Sequence, residues 1–101
     1  MPVVIRYTTT IGADAYDEIA ARIRFHDDVP EGLIVHSAAV TDAGQMRVFD
    51  VWRNVEAFER FLETRLGPAL ADVAGPHQQE ADAVEVFELH SLVRQGRPLA
   101  S

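Results

Sequence analysis

A chain of 101 residues with 48% hydrophobic and 25% charged residues suits one small globular domain rather than a disordered segment. Its formal charge of −7 argues against nucleic acid and anionic membrane surfaces as partners, and the absence of cysteine removes disulfides and thiolate metal sites. The chain does not begin with a basic region and a long apolar run, and no apolar stretch approaches the roughly 20 residues that span a bilayer. These features predict a cytoplasmic protein.

Val3 to Thr10 is rich in β-branched residues and reads as a strand that Gly12 breaks. Ala13 to Phe25 reads as a helix, because Tyr16, Ile19, Ala20 and Ile23 recur at helical spacing and Asp14, Asp17 and Glu18 favour its positive end. Pro30 and Gly32 close the run that follows. Leu33 to Thr41 and Gln45 to Arg53 are strands joined by Asp42-Ala43-Gly44, a three-residue hairpin loop with glycine at its left-handed position. Asn54 caps the next helix, whose apolar stripe is Val55, Phe58, Phe61, Leu62 and Leu66. Gly67 stands where a helix C-terminus favours glycine, and Pro68 to Ala74 form a short further helix. His77 to Glu80 read as loop, Ala83 to Val93 as a fourth strand, and 94–101 as a loose tail to a domain spanning 1–93.

The order strand, helix, strand, strand, helix, strand predicts an α+β fold, the ferredoxin-like βαββαβ sandwich. Right-handed crossovers place the first and third strands centrally in a four-stranded antiparallel sheet with both helices on one face. The helix-free face carries Phe49 and Val51, an apolar surface that a symmetric homodimer would cover by pairing two sheets into a barrel.

The hairpin loop fixes a register. With Thr41 opposite Gln45, Val40 faces Met46, Ala38 faces Val48, His36 faces Asp50 and Ile34 faces Trp52. An imidazole beside a carboxylate is the arrangement of a general base, and Trp52 follows one step along the same face. The fourth strand runs parallel to the third, which brings His90 level with this pair as a second polar group. His36, Asp50 and His90 have the composition of a two-histidine, one-carboxylate metal site, but a strand intervenes, so no metal is expected. Arg65, near its helix end, is placed to bind a carboxylate across a cleft. The same residues also have a purely structural reading, in which Asp50 and His36 are a self-satisfied cross-strand pair.

The segment Val48 to Leu66, with a strand ending in tryptophan, a short polar link and an aromatic-rich helix, resembles the dimeric α+β barrel superfamily, in particular antibiotic biosynthesis monooxygenase-like domains. Pro30 to Leu33 resembles the entry to the second strand in those domains. The resemblance implies a homodimer with a pocket between sheet and helices, lined by Trp52 and, at further positions, by Val48, Phe58 and Tyr7. The anthrone-oxidising members carry asparagine and tyrosine where this chain has Val48 and Phe58, and the haem-degrading members carry tryptophan and histidine where it has Phe61 and Ala71. The expectation is therefore a small cofactor-free enzyme acting on a planar apolar, polyketide-like or phenolic molecule. Proton abstraction would precede oxygenation or isomerisation and cyclisation. In this scheme His36 is the base, Asp50 orients it, His90 assists and Trp52 packs on the substrate ring. The alternative is a non-catalytic dimeric domain that binds a small hydrophobic ligand or serves an interaction role.

Overall fold

A computed structural model describes residues 1–75 and 84–93. The expected loop around His77, the start of the fourth strand at Ala83 and the tail lie outside the described residues. The elements are β1 (Val3–Thr8), α1 (Ala13–Ile23), β2 (Leu33–Val40), β3 (Met46–Trp52), α2 (Val55–Phe61), α3 (Gly67–Ala74) and β4 (Glu85–Glu88), with a π-helical turn over Leu62–Leu66 between α2 and α3. The four strands form one antiparallel sheet in the order β2-β3-β1-β4, which is the expected ferredoxin-like topology.

The pleat sorts the side chains. Met46, Val48, Asp50 and Trp52 of β3 are buried on the helix side together with Val3, Ile5 and Tyr7 of β1. Ile19 and Ile23 of α1, Ala57, Phe58 and Phe61 of α2 and Ala69 of α3 complete that core. Asn54 caps α2 as expected, its side-chain oxygen accepting the Ala57 N–H at 2.9 Å. On the other side of the sheet, one row runs Val35, Val51, Val4, Phe87 across all four strands, with Phe49 in the next row. Phe49 and Phe87 are 44% and 49% exposed.

The β2–β3 hairpin holds the expected register over most of its length: Val40 pairs with Met46, Ala38 with Val48 and His36 with Asp50. Gly44 takes the left-handed conformation at φ +81°. The pairing of Ile34 with Trp52 is a correction, because Leu33 occupies that position and a bulge falls between Leu33 and Val35. The strand entry explains it. The Gly32 carbonyl accepts the Arg53 N–H at 2.7 Å, so between this bond and the His36–Asp50 pair β2 has one residue more than β3.

Two other elements depart from the sequence reading. Gly67 does not end a helix: it is helical at φ −56°, and its N–H bonds the Leu62 carbonyl five residues back. A Cβ there would lie 2.8 Å from that oxygen, so glycine is selected by close approach rather than by a left-handed cap. The helix thus runs on from α2 into α3. β4 is also shorter than its apolar run suggests. Its last pair is Glu88 with Val3, and Leu89 N–H still reaches the Pro2 carbonyl at 2.9 Å. Beyond that point only Met1 remains to pair with, so Ser91 to Val93 have no partner strand.

Gly32 has φ +88°, and a Cβ on it would fall 2.5 Å from that of Ala57. Gly44 has φ +81° with open space around it. Gly44→Ala should therefore cost only the left-handed strain, about 1–2 kcal/mol. Gly32→Ala should cost a further ~1–3 kcal/mol of overpacking between the strand entry and α2. Denaturant melts of the two variants check the ranking.

Candidate functional site

The site begins with a buried charge. Asp50 points from the centre of β3 toward the helices and is 2% exposed. An ionised carboxylate there needs donors, and it has two. Trp52, one step along the same face and fully buried, donates its Nε1–H to Oδ2 at 3.2 Å. His36, held opposite by the hairpin register, places Nδ1 2.7 Å from Oδ1. A carboxylate already accepting from the indole requires the Nδ1–H tautomer, which leaves Nε2 of the neutral ring as an acceptor.

Nε2 is occupied as well. Tyr16 Oη of α1 lies 2.5 Å from it, and in this tautomer the phenol donates. Phe25, just past the end of α1, stacks on the imidazole with centroids 4.3 Å apart and planes within 13°. The result is a continuous chain, Trp52–Asp50–His36–Tyr16, that joins β3, β2 and α1. Burial, then the Asp50 charge and then that of Asp17 push the Tyr16 phenol above its usual value of 10.0, so it resists ionisation.

His36 and Tyr16 stand between two spaces. Inside, an apolar cavity of about 40 Å³ lies between the sheet and the helices, with Tyr7, Ile19, Val48, Phe61, Leu66 and Leu70 in its wall beside Asp50, His36 and Tyr16. It has room for a few waters. Outside, a groove of about 630 Å³ runs between α1 and the edge strand β2, bordered by Tyr16, Ala20, Arg24, Phe25, His36 and Ser37. That volume falls within the range of small-molecule sites.

The residues singled out from sequence separate accordingly. His36 and Asp50 are together, as the register predicts. His90 is not with them: the row of Asp50 continues through Ile5 to Val86, and His90 lies exposed past the end of β4. Val48 and Tyr7 line the inner cavity. Trp52 and Phe58 border neither space; they pack edge to face at 5.8 Å in the core, and Trp52 acts on Asp50 rather than on a ligand ring. Arg65 is committed to the main chain, donating to the carbonyls of Ile23 and Asp28. Tyr16 is the residue sequence reasoning missed. It fits the apolar stripe of α1 and reads as core, yet a tyrosine hydroxyl inside a stripe signals a buried group in need of a partner.

No protein-family model matches the sequence, and no curated protein matches it in sequence either. Solved structures do match in fold. A mutant of SnoaB, a cofactor-independent oxygenase from Streptomyces nogalater, is 14% identical, with 93% of this chain and 98% of that one covered at a TM-score of 0.61. An antibiotic biosynthesis monooxygenase-like protein from Caulobacter crescentus is 15% identical, with 89% and 91% covered at 0.63. Rv0793 from Mycobacterium tuberculosis is 17% identical, with 95% and 100% covered at 0.58. The chain has the fold of antibiotic biosynthesis monooxygenase-like domains over most of its length, and the resemblance carried by Val48 to Leu66 stands at that level.

The raised Tyr16 value sets a pH dependence. An unfolded tyrosine ionises near pH 10 while the folded one does not. Above that pH the unfolded chain therefore binds fewer protons, and stability falls until the folded group also ionises. The contribution is fully present below about pH 10. Tyr16→Phe removes this loss, so its melting temperature should decline less steeply than that of wild type from pH 9.5 to 11. Calorimetry across that range tests it.

Proposed function

We propose that this protein is a cofactor-free enzyme of the monooxygenase-like kind. It removes a proton from an activated carbon of a planar, apolar, phenolic or polyketide-like molecule, with oxygenation or isomerisation and cyclisation following. The observation that carries the reading is the buried Asp50 carboxylate, fixed by Trp52 on one oxygen and bonded through the other to His36, whose ring borders both cavity and groove. A carboxylate so placed holds the imidazole in one tautomer and stabilises the imidazolium that forms when it accepts a proton. The fold shared with a cofactor-independent oxygenase supports the same chemistry. Val48 and Tyr7 shape the inner wall, and the groove supplies the volume that a planar molecule needs. His90, Trp52, Phe58 and Arg65 take no direct part in this scheme. The small inner cavity favours one rival reading, a domain that binds a hydrophobic ligand without turning it over.

The two readings separate in a solvent-exchange assay. Deuterium uptake from D₂O into the activated methylene of dithranol, and of a panel of related planar phenolic ketones, is followed under anaerobic conditions. Wild type should accelerate exchange, and Asp50→Asn should lower kcat by about 10²–10⁴-fold. An Asp50→Asn variant as active as wild type removes the catalytic reading. So does a wild type that binds the panel without accelerating exchange.

The functional unit is a homodimer in this proposal, with the helix-free faces paired. Two half-exposed phenylalanines in a field of valines form an apolar patch of the kind that association covers. Sedimentation should show a dimer at micromolar concentration. Phe49→Glu should yield a folded monomer with an unchanged far-ultraviolet dichroism spectrum.

A further inference from the structure

Both imidazole nitrogens of His36 are already engaged, Nδ1 by Asp50 and Nε2 by Tyr16, and Phe25 stacks on its ring. A substrate proton therefore has no free lone pair on His36 to reach. It has the oxygen of Tyr16, which lines both the cavity and the groove. We propose that Tyr16 is the catalytic residue that meets the substrate, and that it relays the substrate's proton to His36. The inference rests on the base reading above and adds a residue to it.

The step balances. The substrate C–H bond breaks and its proton bonds to Tyr16 Oη. In the same event the Oη–H bond breaks and its proton bonds to His36 Nε2. The electron pair left on carbon delocalises into the substrate's carbonyl as an enolate. His36 becomes an imidazolium, its Nδ1–H still directed at Asp50 Oδ1, and Oδ2 keeps the Trp52 bond. Reversal returns a proton to the enolate. Tyr16 is neutral before and after, so no free tyrosinate forms beside Asp50 and Asp17. That agrees with an environment that disfavours the phenolate. The substrate class narrows accordingly: it carries a carbonyl conjugated to the acidic carbon, so that the charge can leave the reacting centre. The only ionisable groups shared by cavity wall and dyad are Asp50, His36 and the two tyrosines, none of them a cation at neutral pH, which favours a substrate without a carboxylate near the reacting carbon.

Two measurements test the relay. The first needs no substrate. Nitrogen-15 NMR of wild type above the histidine titration should show the proton on Nδ1 of His36 and an accepting Nε2. A proton on Nε2 overturns the relay. The second is the exchange assay with dithranol, run on wild type, Tyr16→Phe and Asp50→Asn. Tyr16→Phe keeps the ring and should lower kcat by about 10²-fold or more with KM little changed. Full kcat in Tyr16→Phe with a slow Asp50→Asn overturns the relay and leaves the base reading standing. Full kcat in Asp50→Asn overturns the base reading itself. A Tyr16→Phe variant that changes KM and not kcat makes Tyr16 a binding contact, and the relay falls.

Discussion

The architecture around the site depends on keeping one carboxylate ionised where water does not reach it. Asp50 sits at the centre of a central strand, among the largest fully buried side chains of the protein. Desolvating a charge costs several kcal/mol unless donors replace the lost water. Here the donors come from two strands, and their geometry is set by the backbone: Trp52 by the period of β3, His36 by the hairpin register. A change that shifts the register by one residue would turn His36 away and leave the carboxylate half-satisfied. The loop Asp42-Ala43-Gly44, some distance along the hairpin, is thus tied to the electrostatics of the core. Gly44 carries no side chain into the site but decides which residue faces Asp50.

That dependence explains which parts of the molecule were legible from sequence. Turn chemistry and strand period are local rules, so the hairpin, the His36–Asp50 pair and the order of elements follow from counting residues. What failed depended on contacts between distant segments. The bulge at Ile34 arises because Gly32 bonds Arg53 while closing on Ala57, a meeting of strand entry and helix that no local pattern shows. His90 was carried too far by an apolar run that outlasts its partner, since β1 starts at Val3. Trp52 was assigned to a ligand by resemblance, whereas its indole N–H serves the carboxylate two residues before it. Tyr16 was hidden because periodicity weighs its ring and ignores its hydroxyl, and only the packing of α1 over β2 brings that hydroxyl to Nε2.

The position of His36 also separates roles that many sites combine. The inner cavity is apolar and small, while the groove beside α1 is large and bordered by Arg24, Ser37 and the Phe25 ring. The dyad of Tyr16 and His36 forms part of the partition between them. Chemistry at such a partition keeps the carboxylate dry on one side while a ligand approaches from the other, so the charge that tunes the imidazole is not screened by solvent. The fold is shared with proteins of differing description, and what distinguishes this chain is the content of that partition.

The π turn at Leu62–Leu66 has a consequence for how the chain can vary. It amounts to one residue more than an α-helix would use to cover the same rise, made possible because Gly67 approaches the Leu62 carbonyl. Removing a single residue from that turn would restore α geometry and rotate everything after it by about 100° about the helix axis. Leu70, now on the cavity wall, and Ala69, now in the core, would be carried around to other faces. A length change of one residue is thus tolerated poorly here, whereas the open space around Gly44 leaves the hairpin tip freer in side-chain size. Alignments of this chain with its structural relatives should place a gap within the turn whenever the relative has an uninterrupted α-helix, and residue equivalences read straight through it would be wrong by one from Gly67 onward.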